Sequence, residues 1–258
     1  MKCKNLLLVF LFLSIFLSAC SYKSQNYSYN NLTSEQSINE FYEILSSHAV
    51  PSEDIESLIN FIRVYSKGSY AEKNLQGDWK NAAITERLYD YVKAINFYGN
   101  SPFEDLNCRG AAFLIFNSFL NTPDFSMKDI APEEASPISS LKKDQSYYAC
   151  YEVLFATFDS EQSVADAVKS YWKNQNIEFE GSDIHLVSLW GKKNDEITNL
   201  HCGVLLENES NTYFFEKVDP MMPYQISTFD STEDMKAYLL NRTEEFEDMT
   251  VFVDDEPI

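Results

Sequence analysis

Glycine and proline are scarce in this chain, seven and eight of 258 residues, and basic side chains number half the acidic ones, 20 against 40. So few chain breakers, beside sixteen Tyr and nineteen Phe, exclude a low-complexity or fibrous polymer and imply a folded globule. The shortage of Lys and Arg leaves a formal charge of −20. That charge repels nucleic acid and anionic lipid, so no nucleic-acid partner is expected. No apolar run reaches the roughly 20 residues needed to cross a bilayer. The chain also lacks a Walker loop, a dinucleotide fingerprint, GxSxG, CxxC and HExxH. No cofactor and no metal are expected.

What is present begins at the N-terminus. Lys2 and Lys4 precede a nearly unbroken apolar stretch, Leu6 to Leu17, which suits the h-region of an export signal. Leu17-Ser18-Ala19-Cys20 then reads as a lipobox, with small residues before a cysteine whose thiol carries the lipid. Two or more acyl chains, palmitate among them, make such anchoring stable. The expectation is a signal peptide over residues 1–19 and a protein held by Cys20 on the outer face of the cell membrane. An ordinary cleaved signal or an uncleaved anchor are the alternatives. Cleavage would remove Lys2 and Lys4 and take the charge to −22.

Residues 20–33 are polar and aperiodic and read as a tether. Residues 34–258 read as one α+β domain, with a helical part over 34–100 and a catalytic-like core over 101–258. Ile38, Phe41, Ile44 and Leu45 mark a first helix, Ile55, Leu58, Ile59 and Ile62 a second, and Leu88, Tyr91, Val92 and Ile95 a third over 84–95. The apolar run Phe113 to Leu120 is a further helix, ended by Asn121-Thr122-Pro123. Residues 147–158 fit strand or helix, and Ser160 to Trp172 is amphipathic. Asp183 to Trp190, Leu200 to Leu206 and Thr212 to Val218 read as strands, the last two joined by a hairpin at Asn208 to Asn211. A loop follows from Asp219 to Gln225. Ser231 opens a short helix, and Thr250 to Val253 is an edge strand in an acidic, solvated C-terminus. Helices first and antiparallel strands afterwards give an α+β fold, with a papain-like or transglutaminase-like arrangement suspected.

Cys108 stands at the start of the buried helix, where unpaired N–H groups depress a thiol pKa and can face an oxyanion. The base it lacks locally is His201, at the start of a strand. Gly203, two residues on and on the same face, is expected to let the thiol-bearing helix approach the ring. If the hairpin pairs His201 with Val218, Glu216 is the diagonal neighbour on the same face; a shift of one residue puts Asp219 there instead. Glu216 is the odd residue of an apolar strand and is favoured, with Asp219 as the alternative acid. Each residue alone is ordinary, since a cysteine at a helix start is usually a small hydrophobe and a strand glutamate usually faces water. Their order, Cys then His then acid, is that of papain-like thiol hydrolases.

Asn107-Cys108-Arg109, then His201-Cys202-Gly203-Val204-Leu205, then Glu216-Lys217 and Pro223-Tyr224-Gln225, resemble an uncharacterised family of Gram-positive lipoproteins known as domain of unknown function 4300. The resemblance runs over nearly the whole chain after Cys20. It implies that Cys108, His201 and Glu216 lie in the family's characteristic motifs and carries no activity with it. Cys202 has no counterpart in that pattern and raises the prospect of a disulfide or metal contact at the site. Asn107, Arg109, Tyr224 and Gln225 are candidates for holding substrate or its oxyanion, Arg109 by pairing a carboxylate; a loop clamp is the plainer role for Tyr224 and Gln225. His185 with His201 and a cysteine is a remote zinc candidate, and His48 reads as a surface residue. With Cys20 lipidated, Cys108, Cys150 and Cys202 remain, so at least one thiol stays unpaired.

Two functions follow as expectations. One is a membrane-anchored thiol hydrolase or acyltransferase acting on an amide or peptide bond, with an envelope peptide or peptidoglycan stem as the substrate its location suggests. The other is a surface lipoprotein without turnover that binds an envelope or protein partner, motivated by the many aromatics.

Overall fold

A computed structural model describes residues 25–258 apart from 69–74, 76, 91, 94–95, 97–104, 126–137, 139–140, 142, 210 and 243–244. Cys20 and the segment before it lie outside the described residues. None of the described helices is long and apolar enough to cross a membrane.

The first two helices form where apolar residues recur every three or four positions. Helix α1 (Glu35–Ser47) is capped by Ser34, which accepts from the Ser37 amide, and buries Ile38, Phe41 and Leu45. Helix α2 (Ser52–Ser66) follows Pro51 and buries Ile55, Leu58, Ile59 and Ile62. Helix α3 (Cys108–Phe116) is different, since every residue from Gly110 to Phe116 is buried. An all-round apolar helix belongs inside a domain, and α3 packs against the sheet on one side and α2 on the other. Helices α4 (Gln145–Leu154) and α5 (Val164–Asn174) complete this layer, capped by Asp144 and Ser163. The ambiguous stretch 147–158 is thus helical to Leu154. Helix α6 (Thr232–Leu240), capped by Ser231, lies on the opposite face of the sheet.

The main sheet has nine strands in the order β11-β10-β6-β7-β8-β9-β1-β2, with β4 also paired to β7. Its centre is the antiparallel run β6 (Ile184–Lys193), β7 (Glu196–Glu207), β8 (Thr212–Lys217) and β9 (Tyr224–Phe229). On one edge β10 (Asp248–Val253) pairs β6 and is covered by β11 (Glu256–Pro257). On the other, β1 (Asn26–Asn30) lies between β9 and β2 (Lys80–Ala83). Strand β4 (Phe158–Asp159) is short, and β3 (Leu120–Asn121) pairs β5 (Glu178–Phe179) in a separate ribbon.

Both faces of the sheet are covered, which explains why β6 to β8 read as nearly continuous apolar runs. Leu186, Trp190, Val204 and Phe215 face the α1–α5 layer, while Val187, Leu189, Leu205 and Phe214 face α6. Each such fully buried side chain contributes roughly 1.5–3 kcal/mol relative to an exposed one.

Several sequence expectations change here. Residues 26–30, read as part of a tether, are a strand: Tyr27 stacks on Phe229 at 5.3 Å and is 3% exposed. The third helix fails at its start, where residues 84–90 are turn and coil after β2; Val92, Lys93 and Asn96 are helical, and Tyr91 and Ile95 lie outside the described residues. Tyr224 and Gln225 stand on strand β9 rather than in a loop. The C-terminal acidic stretch contains a core strand with Val251 and Phe252 fully buried, and it is not the edge. His48 is buried, with its Nε2 2.8 Å from the Glu207 carbonyl oxygen.

Candidate active site

Asn107 decides where α3 begins. Its Oδ1 accepts the Gly110 amide at 2.7 Å, the usual satisfaction of an orphan first-turn donor. Cys108 is therefore the first residue of the helix, with the positive end of the helix dipole behind its thiol. The apolar remainder of α3 holds that end in place. Asn107 is thus a cap through Oδ1, while its Nδ2, the group able to donate to an oxyanion, lies 3.5 Å from Tyr151 OH.

The thiol meets β7 at a split in the sheet. Strand β6 runs along one edge of β7 from Glu196 to Leu206. On the other edge β8 covers Gly203 to Glu207 and β4 covers Glu196 and Ile197. Between them, residues 198–202 have no strand partner on that edge among the described residues. The Cys202 backbone N–H and thiol stand near enough to the Cys108 sulfur to favour its thiolate. The His201 imidazole completes the surround. A bulge at Leu200 sets the local twist, and Asn199 Nδ2 braces it on the Leu189 and His201 carbonyls at 3.4 and 3.3 Å.

The acid is Glu216. Strands β7 and β8 pair Gly203 with Glu216, which is the register that places His201 across from Val218. His201 Nε2 lies 2.7 Å from Glu216 Oε2, and both side chains are buried. With Nε2 committed there, Nδ1 is the nitrogen left for the sulfur, and an ionised Glu216 fixes the tautomer that can take a proton. Gly203 does not make room for the thiol helix. A Cβ there would fall 2.4 Å from the Phe215 carbonyl oxygen and 2.5 Å from the Phe214 ring, so the space belongs to β8.

Glu216 is itself enclosed. Arg242 Nη1 donates to Oε2 at 2.6 Å, Tyr238 OH to Oε1 at 2.5 Å and Gln225 Nε2 to Oε1 at 3.3 Å. Arg242 also donates to the Val218 carbonyl. Burial opposes ionisation of Glu216, but Arg242, His201 and Tyr238 outweigh it and hold the carboxyl at about 2. The Cys202 hydrogen bond and the His201 charge hold the Cys108 thiol well below the ordinary thiol range. For His201, burial and Arg242 disfavour the cation, yet the thiolate and the hydrogen bonds to Cys108 and Glu216 raise it. Burial and the neighbouring sulfur push Cys202 up, so it remains the protonated donor of the pair. These directions favour a thiolate at Cys108 beside a protonated His201, backed by an ionised Glu216.

Other predicted residues take different places. Gln225 accepts from Tyr89 OH at 2.5 Å and donates to Ser227 Oγ at 2.9 Å, so it supports the acid and does not face an oxyanion. Tyr224 donates to Asp105 Oδ1 at 2.5 Å. Arg109 is half-buried and makes no ion pair among the described residues. Asp219 is not the partner of His201. His185 pairs with Asp254 at 2.7 Å, and no group of three potential metal ligands exists among the described residues. Cys108, Cys150 and Cys202 are all free thiols.

Sequence reasoning missed Arg242 and Tyr238, which come from α6 and its end, and the Asp105–Lys217 ion pair, fully buried at the lysine. Lys217 Nζ lies over the rings of Tyr65 and Tyr224 at 4.0 and 4.2 Å. The only sequence signal was a lysine ending an apolar strand.

Residues 28–253 match the family model of the domain of unknown function DUF4300. The chain belongs to that family. The matched region runs from β1 to β10 and contains Cys108, His201, Glu216 and Arg242, so the whole constellation belongs to the DUF4300 domain. Nothing among curated proteins matches the chain, and no solved structure matches it.

Proposed function

We propose that this DUF4300 protein is a lipid-anchored, extracytoplasmic thiol hydrolase or acyltransferase acting on an amide bond, with an envelope peptide as the substrate class. The observation that carries the chemistry is the single imidazole of His201 placed between the Cys108 sulfur and the Glu216 carboxylate. The Cys-His-acid order resembles that of papain-like enzymes, an analogy of arrangement only. The anchor and the location rest on the Leu17-Ser18-Ala19-Cys20 motif.

In this reading the Cys108 thiolate attacks the amide carbonyl carbon, forming the C–S bond. The negative oxygen faces the Cys108 N–H at the start of α3. The His201 imidazolium gives its proton to the leaving nitrogen as the C–N bond breaks. Water, or an acceptor amine, then attacks the thioester while the imidazole takes its proton, and the thiolate is released. Glu216, held ionised by Arg242, keeps the ring in one tautomer throughout.

The test is the pH dependence of Cys108 alkylation in wild type and His201→Ala. The expected wild-type profile inflects clearly below the free thiol value of roughly 8.5, and losing the imidazole moves it upward. A Cys108 that titrates at or above the free value and ignores His201→Ala would refute the proposal.

A further inference from the structure

One acid beside the reactive pair has no role in it. Asp219 follows β8 by two residues and is half-buried. Its carboxylate makes no hydrogen bond or ion pair among the described residues. It lines a cavity of about 260 Å³ whose wall also includes Tyr27, Tyr89, Tyr238, Arg242 and Glu86. That volume falls just under the range of about 300–1,000 Å³ usual for ligand pockets, a size for one residue of a peptide.

The cavity adjoins the chemistry. Arg242 in its wall holds Glu216, and Val218 in the same wall gives its carbonyl to Arg242 two residues after that acid. Asp219 lies close enough to Arg242, Cys108, His201 and Lys217 to feel the charge of each, yet burial dominates and raises its carboxyl. Its charge balance is negative. Arg242 is committed to Glu216 and to the Val218 carbonyl, leaving Asp219 and the exposed Glu86 against the exposed Arg87. A half-buried carboxylate with no hydrogen bond or contact ion pair of its own is an arrangement that a cation placed against it relieves. Three tyrosine rings in the wall suit the same ligand, because aromatic faces attract ammonium groups.

We propose that this cavity is the subsite for an ammonium-bearing residue of the acyl substrate, with Asp219 as its counter-charge. An anionic group would have to sit against Asp219. The proposal rests on the thiol-hydrolase reading and narrows its substrates to peptides with a free amine close to the bond attacked.

Charged thiol reagents test it without a known substrate. Modification of Cys108 in the detergent-solubilised full chain is followed by peptide mass spectrometry. The reagents are trimethylammonioethyl, sulfonatoethyl and methyl methanethiosulfonate, which are cationic, anionic and neutral. The cation-to-anion rate ratio cancels any change in thiolate content. Asp219→Asn is expected to lower that ratio by roughly five-fold, the effect of one nearby charge, and Asp219→Glu to restore it. A ratio unchanged in Asp219→Asn overturns the subsite. A ratio that rises in Arg87→Ala while ignoring Asp219→Asn assigns the cavity to an anion and overturns it too. A wild-type Cys108 inert even to the neutral reagent refutes the thiol reading itself, and the subsite falls with it.

Discussion

At the scale of single residues, Glu216 shows how burial and charge combine. A buried carboxylate is normally driven to its neutral form, yet Arg242 and His201 keep this one ionised down to about 2. A folded-state pKa depressed from an ordinary 4.5 contributes stability that is present above about pH 4.5 and is lost as pH falls toward 2. From the size of that shift the contribution is about 3 kcal/mol. Urea unfolding of wild type and Glu216→Gln at stepped pH between 2 and 7 is the measurement. The glutamine variant should start less stable at neutral pH, with Arg242 left unpaired, and should lack this part of the acid slope. Parallel pH profiles for the two proteins would show that Glu216 is not held ionised by its neighbours. Cys150 is the contrast within the same molecule: burial, only partly offset by the Thr122 hydroxyl, pushes its thiol up to about 11, as expected of a sulfur with no cation beside it.

At the scale of elements, the site exists because two strands stop short of each other. Strand β8 leaves β7 at Gly203 and β4 joins it only at Ile197. The Cys202 N–H in the gap is then free for a sulfur delivered by a helix N-terminus. Gly203 stands at the edge of this gap and keeps β8 close. Gly203→Ala places a methyl group against the Phe215 carbonyl and the Phe214 ring, so one strand must shift. Overpacking of this kind costs about 1–3 kcal/mol. A lowered thermal midpoint, together with slower Cys108 alkylation as the His201–Glu216 register is disturbed, is the expected result. A variant as stable and as reactive as wild type would mean that β8 yields freely. The glycine was legible in the sequence as a place of close approach, but the element that approaches was not. Sequence reasoning assigned the room to the thiol helix; the backbone of the adjacent strand occupies it.

At the scale of the whole molecule, the helix bearing Cys108 is tied to the sheet by a pair 112 residues apart in sequence. Asp105, three residues before the thiol, meets Lys217, the residue after Glu216, in the core. This links the nucleophile to the strand of its acid. Removing one partner of a buried ion pair leaves an uncompensated charge and costs about 3–5 kcal/mol, whereas removing both is far milder. Denaturant unfolding of Asp105→Asn, Lys217→Met and the double variant should show the double variant more stable than either single one. Single variants that add up simply would dissolve the pair as a unit. Lys217→Met is also expected to slow Cys108 alkylation, a change that loss of global stability alone does not bring.

The sequence by itself determined the local facts. Helical spacing fixed α1 and α2, and the apolar run fixed α3 as an interior helix with Cys108 near its start. The period of two on paired strands narrowed the acid to Glu216 or Asp219 according to register, and the observed pairing of Gly203 with Glu216 chose between them. Only the tertiary structure decided the rest. Residues 26–30 alternate just two tyrosines with polar residues, too short a pattern to stand out from a tether, and become a strand because β9 offers an edge. Arg242, Tyr238 and Asp105 come from segments whose local pattern carries no mark of the site, and Asp219 became a cavity wall once Glu216 had taken the imidazole. Periodicity reports what each residue does for its own element. Which elements meet is set by burial of both sheet faces at once, and that is a property of the folded whole.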